Sequence, residues 1–393
     1  MDMLDKRLNL LTLQEAMDLL EVSRSTLDRW RKQQRMPFVK IGKEIYFHKE
    51  DVQLWIRSHS RILDPAAQRA GQEPCNETIT IGYQSGTAHM WSALIVKEMR
   101  LFEEEIAAAE PSRPYTVRWH DAANGLELVE GMIAGSIQLA SLGDYPIIVS
   151  LQLAQMLPNF RPVLLAFDGK TTCSKGISIV VPRGSSIRTS TDLSDQTIST
   201  VVNSSAGHRL KRLLTSLETQ HIHIIHREMN DSLDSITLQH VGASAMWEPY
   251  VSLARLQGAE SIYFDQEWND DYLTGLVAQD RWMQANDWAV TAYLKAHLRA
   301  HQVMRCFPVK AAKIISRSTG FPLEMVANLC SEVRWDAAAY TKDLKTLCNL
   351  AENNVTSTLN FRGDYLEEAA KQLKLPSLLN KPMEGNWSFS LLY

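Results

Sequence analysis

The sequence predicts an α/β protein in which a small basic helical module precedes a large α/β domain of two lobes. Three observations predict it. Strand-like apolar runs alternate with helix-spaced segments from about residue 78 onward. Charge divides the chain near residue 61. The roughly 310 residues from about residue 78 onward exceed what one hydrophobic core comfortably serves.

Composition narrows the class. Of 393 residues, 45 % are hydrophobic and 22 % charged, the balance of a soluble globular protein, which excludes a disordered, collagenous or rod-like chain. No apolar run reaches the ~18 residues of a membrane span, so no membrane partner is expected. Met1–Leu20 (MDMLDKRLNLLTLQEAMDLL) carries acids throughout and no small-residue cleavage site. It lacks the pattern of an export signal, and a cytoplasmic location is expected. The cysteines Cys75, Cys173, Cys306, Cys330 and Cys348 are scattered and form no C-x-x-C pair, which suits reduced thiols rather than a zinc ribbon or redox motif.

Charge then locates the small module. Residues 1–61 hold twelve Lys/Arg against nine Asp/Glu, whereas the whole chain holds 41 against 45. Eight of the basic residues fall between Val22 and Lys49. Such a stretch on an acidic protein is either a phosphate-binding surface or a solvated helix face. Spacing favours the first. Thr12 and Glu15 form a capping box ahead of Leu13, Ala16, Met17 and Leu20 at helical spacing. After a break at Glu21-Val22, Ser23 caps a second helix, Arg24–Lys32, with Leu27 and Trp30 turned inward. Arg24, Ser25, Thr26, Arg29 and Lys32 are left to face DNA, where Arg can fork onto guanine. Phe38–Phe47 alternates around Gly42-Lys43 as a small wing, so Lys40 and Lys43 are candidate phosphate contacts. Glu50-Asp51 opens a third helix.

With those residues in place, Leu11–Ile56 resembles the excisionase/MerR-type winged helix-turn-helix in its short form. The matching pieces are a T-x-x-E-A start, an S-x-x-T-L-x-R-W recognition helix, a P-x-x-K-I-G wing and an ED-V-x-x-W close. The long dimerising helix of full MerR regulators is absent. The resemblance implies a double-stranded DNA operator as partner, and two-fold operators favour a homodimer. The domain expected at 1–61 is followed by a Pro- and Gly-containing linker at 62–77.

The larger part, 78–393, reads as strands at Thr78–Tyr83, Thr116–Trp119, Ile137–Leu142, Gly176–Val181, Thr197–Val202, His223–His226 and Ala243–Met246. Helices are expected at His89–Phe102, Gly125–Ala134, Ala206–Leu217 and Asp231–His240. This alternation implies a mostly parallel sheet with helices on both faces. Ligands in open α/β sheets sit at strand carboxyl ends. Those ends carry Gln84-Ser85-Gly86-Thr87, His120-Asp121, Gly143-Asp144-Tyr145-Pro146, Asn203–His208 and Trp247-Glu248-Pro249-Tyr250. Several are Ser/Gly turns opening a helix, which either present N–H groups to an anion or simply cap.

Taken in order, these stretches resemble ABC-type periplasmic substrate-binding proteins of the nitrate/sulfonate/taurine and thiamine-precursor class. They are IGYQSGTAHMWSALIVKE, GLELVEGMIAGSIQLASLGDYP, KGISIVVPRGSSIRTSTDLSDQTISTVVNSSAGH, AMWEPY and the helical tail from Asn286, and together they span 78 to about 350. The resemblance implies a type II, periplasmic-binding-protein-like fold. Lobe 1 would hold about 78–168 and 270–393, and lobe 2 about 169–269. It implies ligand contacts from Tyr83, Ser85, Gly86, Thr87, Ser204, Ser205, His208 and Trp247. Asp144 is either a contact or a cap, and Glu248 either accepts from an amine or holds the hinge. Trp268 and Tyr272 fit core packing better than the cleft. Gln138 stands where the family often has an acid, and the family is normally exported.

His221, His223 and His226 lack carboxylate partners at useful spacing and read as an exposed strand edge, so no metal is expected. No G-x-S-x-G, P-loop or H-E-x-x-H motif occurs, and no cofactor or catalytic residue is expected. The function expected is a one-component transcriptional regulator sensing a small anionic metabolite such as a sulfonate, nitrate or carboxylate. The alternatives are a thiamine-pyrimidine-synthase-like enzyme, whose Cys-rich motif is not visible, and a cytoplasmic solute-binding protein.

Overall fold

The computed structural model describes residues 10–20, 22, 24–33, 36–41, 44–48, 52, 77–112, 115–172, 175–217, 222–262, 270–351, 360–376 and 381–387. The expectations at Ser23, Lys43, Cys75, Cys173, His221, Trp268, the linker and most of the third helix lie outside these residues, as do the side chains of Ser25, Arg29 and Lys32.

The N-terminal module begins with β1 (Leu10–Thr12), α1 (Leu13–Leu20) and α2 (Arg24–Gln33). The capping box forms as the spacing predicts. The Thr12 backbone N–H donates to Glu15 Oε2 at 2.8 Å, and the Glu15 N–H donates to Thr12 Oγ1 at 3.2 Å. The same carboxylate accepts from the Thr12 hydroxyl, and these bonds hold it below its ordinary pKa. The wing is β2 (Val39–Ile41) paired antiparallel with β3 (Glu44–His48), and β1 adds a strand the sequence did not announce. Ala16, Leu20, Val22, Leu27, Met36, Phe47 and Val52 make the core. Burying one such Leu or Phe stabilises by about 1.5–3 kcal/mol, enough for a module this small to need all of them. Leu126 of the larger domain packs against this core.

Lobe 1 is a six-stranded sheet. Its strands are β4 (Glu77–Tyr83), β5 (Tyr115–Asp121), β6 (Leu139–Gly143), β7 (Pro162–Thr171), β13 (Tyr272–Gln279) and β14 (Arg334–Trp335), in the order β14-β7-β13-β6-β4-β5. One face packs on α3 (Trp91–Glu98), α4 (Leu101–Ala109), α11 (Asp287–Cys306), α12 (Pro308–Thr319), α13 (Leu323–Glu332) and α15 (Asp364–Gln372). The other packs on α5 (Gly125–Ile133), α6 (Asp144–Met156) and α14 (Thr341–Leu350). Lobe 2 is a five-stranded sheet of β8 (Ile177–Val181), β9 (Thr197–Thr200), β10 (His223–His226), β11 (Ala243–Trp247) and β12 (Glu260–Ile262), ordered β10-β9-β11-β8-β12. Its core takes in α7 (Ser205–Ser216), α8 (Met229–Thr237) and α9 (Tyr250–Leu256). The short α10 (Asp280–Ala285) follows β13.

Two expectations are corrected. The sheets are mixed rather than mostly parallel. Strands β4, β5 and β6 pair parallel, but β13 runs antiparallel to both β6 and β7, and β8 runs antiparallel to β11 and β12. The cause is topological: the chain leaves lobe 1 after β7 and returns on β13, and both passing strands lie in the lobe 1 sheet. The single helix expected over His89–Phe102 is broken. A 3₁₀ turn spans Ala88–Met90, and Arg100 adopts φ 55°, in the left-handed region, so that Leu101 and Phe102 turn back into the core.

Gln138, in the place of the family's acid, has a local role. Its Oε1 accepts from the Thr80 N–H at 2.8 Å and its Nε2 donates to the Gly135 carbonyl. The neutral amide satisfies both a donor and an acceptor, which a carboxylate could not do.

Candidate functional site

Loops at the ends of β4 and β6 in lobe 1 meet loops after β9 and β11 in lobe 2, and the two sides touch directly. The Trp247 indole N–H donates to the Gly86 carbonyl at 2.8 Å, and the Ala88 N–H donates to the Glu248 carbonyl at 2.8 Å. Tyr145 stacks on His208 with ring centres 4.2 Å apart and planes 16° from parallel. A Cβ on Gly143 would come within 2.8 Å of Ser205 Oγ, so only glycine lets the two helix starts approach this closely. At the mouth, Asn124 Nδ2 donates to Glu228 Oε1.

The strongest cross-lobe contact is an ion pair. Asp144 opens α6 in lobe 1, and Arg209 lies near the start of α7 in lobe 2. The guanidinium forks onto the carboxylate, with Nη1 to Oδ1 at 3.1 Å and Nη2 to Oδ2 at 2.7 Å. Nη1 also donates to the Ser205 carbonyl and Nη2 to the Asp271 carbonyl. Both side chains are buried, with 0 % of Asp144 and 4 % of Arg209 exposed. Asp144 also accepts from the Tyr145 N–H. A bidentate, charge-assisted pair with further hydrogen bonds on both partners is the arrangement that tolerates burial.

The structure brings some predicted residues together and sets others apart. Asp144, Ser205 and His208 meet at the lobe boundary, where Tyr272 lies beside Ser205 with its hydroxyl pKa raised by burial. Gly86 and Trp247 meet through their hydrogen bond. Ser204 caps α7: its Oγ accepts from the Gly207 N–H and donates to the Val201 carbonyl. Tyr83 lies in the lobe 1 core, its hydroxyl accepting from Lys97 at 3.0 Å, with Trp119 edge-on. Ser85 and Thr87 use their backbones to fix the turn, Ser85 N–H to Asp121 Oδ1 and Thr87 N–H to the Gln84 carbonyl. Glu248 accepts from the Ser252 N–H and its pKa is raised by burial, a holding role within lobe 2.

Arg209 was missed by sequence reasoning, although a signal existed. A cation near a helix start opposes the helix dipole and needs an anion to hold it there. In SSAGHRLK no acid is near in sequence, so its partner had to come from elsewhere in the fold. His89, at the base of the boundary, was also missed. It is fully buried, its ring centre lies 4.5 Å from that of Tyr272, and burial lowers its pKa to about 3. Its Nε2 bonds Thr171 Oγ1 while Nδ1 has no hydrogen-bond partner.

Among the described residues, one group brings metal-ligand types together: Asp168, His297 and His301, all buried in lobe 1. Hydrogen bonds already account for much of it. Asp168 accepts from the Ser92 hydroxyl and pairs with His301, while His297 Nε2 donates to the Phe167 carbonyl. His223 and His226 lie on β10, the exposed edge strand of lobe 2.

In the N-terminal module, Arg24 and Lys40 are exposed. Thr26 is half-buried and lines a cavity of about 210 Å³ together with Asn124, Glu127 and Glu130 of lobe 1 and Val202, His226 and Glu228 of lobe 2. The start of α2 therefore stands at the mouth of the cleft, beside both lobes.

Comparison with known proteins finds relatives of both parts. The helix-turn-helix domain family matches residues 10–60. The chain is also similar, over 65 % of its length, to an Escherichia coli (strain K12) protein named for binding aliphatic sulfonates, 24 % identical over 266 residues that cover 76 % of the relative. The chain joins a helix-turn-helix domain to a periplasmic-binding-protein-like fold. Solved structures support that fold. The alkanesulfonate-binding protein of Xanthomonas axonopodis pv. citri bound to MOPS aligns with TM-score 0.60 and 20 % identity, covering 74 % of this chain and 96 % of its own. The periplasmic nitrate-binding protein of Synechocystis PCC 6803 aligns with TM-score 0.60 and 14 % identity, covering 79 % and 93 %. No helix among the described residues is long and apolar enough to cross a membrane.

Proposed function

We propose that this protein is a cytoplasmic, ligand-responsive transcriptional regulator. Its winged helix-turn-helix grips an operator, and its two-lobed domain senses a small metabolite in the cleft. The observation that carries the reading is the position of the recognition helix: Thr26 shares one cavity with residues of both lobes. Relative motion of the lobes then changes the surface against which the DNA-reading helix rests. A ligand shifts this equilibrium only as far as its affinity differs between the open and closed forms. Arg24, Ser25, Arg29 and Lys32 contact DNA, joined by Thr26 when the lobes withdraw from it, Lys40 and Lys43 hold phosphates, and two copies read a two-fold operator as a homodimer. The cleft residues used for binding are Asp144, Ser205, His208 and Trp247 with the Ser85–Thr87 turn. The role is binding rather than turnover.

Selection of duplexes from a random library by the full-length chain tests this. The expected product is one consensus, bound less tightly as salt rises. Arg29→Ala should weaken binding to it by about 1–3 kcal/mol, the value of one bidentate base contact. A library that yields no consensus, or unchanged operator affinity in a folded Arg29→Ala protein, refutes the assignment.

A further inference from the structure

We infer that the mouth of the closed cleft is a docking surface for this chain's own recognition helix, in competition with DNA. The closed form is then the form that binds DNA weakly, and a ligand that closes the lobes releases the operator. This gives a direction to the regulation proposed above and rests on that reading.

The docking surface is built from both lobes. Leu126, at the start of α5, packs at once on a core of lobe 1 and on the core of the N-terminal module, and so ties the module to lobe 1. Beside it, Thr26 of α2 shares its cavity with Asn124, Glu127 and Glu130 from lobe 1 and with His226 and Glu228 from lobe 2. The two halves of this wall are joined by the bond from Asn124 Nδ2 to Glu228 Oε1 at 3.2 Å. Separation of the lobes breaks that bond and carries Glu228 away from a module held on lobe 1. The wall against α2 is therefore whole only when the cleft is shut.

That wall and a duplex compete for one flank of α2. A helix with its side chains is about 10–12 Å across and the major groove about 12 Å wide, so both flanks of a reading helix face the phosphate-lined walls of the groove. At about 100° per residue, Thr26 stands roughly 60° around the helix from Arg29 and roughly 100° from the inward Leu27, which places it on a flank. In the closed form this flank meets protein, and the carboxylates of Glu127, Glu130 and Glu228 stand where phosphates would lie. Bulk and like charge both oppose the duplex. Opening removes the lobe 2 half of the obstruction.

The test uses the full-length chain, with the consensus duplex selected by the wild type as probe. Leu126→Glu sets a carboxylate against the apolar core of the N-terminal module when α2 is docked. With α2 free, the same carboxylate sits at a helix N-terminus, where an acid is favoured. The expected result is operator affinity raised ~10-fold or more, as for a chain whose binding-competent form is a tenth or less of the whole. An added negative charge by itself weakens DNA binding, so electrostatics alone cannot produce that rise. Leu126→Ala should give a smaller rise, and Arg209→Met, which removes the cross-lobe ion pair, a rise as well. Unfolding midpoints identify the variants that fold. If folded Leu126→Glu and Leu126→Ala proteins bind the consensus no more tightly than wild type, the masking is overturned while the regulator reading stands. A rise in those two with none in folded Arg209→Met overturns the link to closure, and with it the direction assigned to the ligand. A wild-type chain that selects no consensus removes the regulator reading and this inference together.

Discussion

Replacing Arg209 by Met should strip Asp144 of the guanidinium that pairs with it while roughly preserving side-chain volume. The magnitude follows from the burial. Removing one partner of a buried pair costs about 3–5 kcal/mol, because the other charge is left uncompensated. The carboxylate has one escape, which is to take up a proton. For an acid of ordinary pKa near 3.8 that route caps the electrostatic cost at about 4 kcal/mol at pH 7, and the cap falls by about 1.4 kcal/mol per pH unit below that. The expected loss is therefore about 3–4 kcal/mol at pH 7 and about half that at pH 5. Lost bonds to the Ser205 and Asp271 carbonyls add a pH-independent remainder. Urea denaturation followed by tryptophan fluorescence at the two pH values measures it, and the Asp144→Leu/Arg209→Met double variant should recover most of the loss. Small-angle scattering should report a larger radius for the single variant, since the pair joins the lobes. A loss below 1 kcal/mol at pH 7, or a double variant no more stable than the single one, would refute the reasoning.

Other expectations are as direct. Lys170 is fully buried in lobe 1, its ammonium 2.6 Å from both Asp343 Oδ2 and the Ala338 carbonyl, so Lys170→Met should cost about 3–5 kcal/mol in the same denaturation assay. A Cβ at Gly169 would lie 2.6 Å from the His89 carbonyl oxygen, a backbone atom that cannot swing away. Gly169→Ala should lower stability by about 1–3 kcal/mol and shift the tyrosine signals near the lobe boundary in NMR spectra. Burial lowers the pKa of His89 to about 3, of His297 to about 4, and of His301 well below its ordinary value, while raising Asp168 to about 6. Between pH 6 and 5 the unfolded chain holds nearly three imidazole protons that the folded chain refuses. The folded chain keeps one proton, on Asp168, that the unfolded chain has released. The net two protons make stability fall by about 2–3 kcal/mol per pH unit on acidification, and a flat unfolding midpoint across that window would contradict it.

What the sequence made legible depended on locality. The capping box at Thr12 and Glu15, the helical spacing of Leu13, Ala16 and Leu20, and the alternation in the wing are near-neighbour patterns, and the structure reproduces them. Strands such as Thr78–Tyr83 and His223–His226 were legible for the same reason. Strands β7 and β13 were not anticipated. All ten residues of β7 are buried, so no polar alternation marks a face, and its partner lies about a hundred residues away. The candidate site was legible as loops but not as pairs. Asp144 stood out by its place after a strand, yet nothing local tied it to Arg209, 65 positions on. Tyr83 misled because it ends a strand beside a Ser/Gly turn, and only the three-dimensional position of Lys97 and Trp119 shows its ring turned into the core.

The path of the chain between the lobes also sets an order of assembly. Strand β13 sits in the middle of the lobe 1 sheet, between β7 and β6, but is made only after the whole of lobe 2. At ribosomal rates of 5–20 residues per second, roughly 5–20 s pass between completion of Thr171 and Gln279. Through that interval β6 and β7 lack their shared neighbour and expose unpaired edges, while lobe 2, an uninterrupted stretch, can close on itself. The nascent chain should therefore build from its inserted part outward. A release-blocked chain ending near residue 262 should protect lobe 2 from protease while leaving β6 and β7 open to cleavage or to capture by a chaperone.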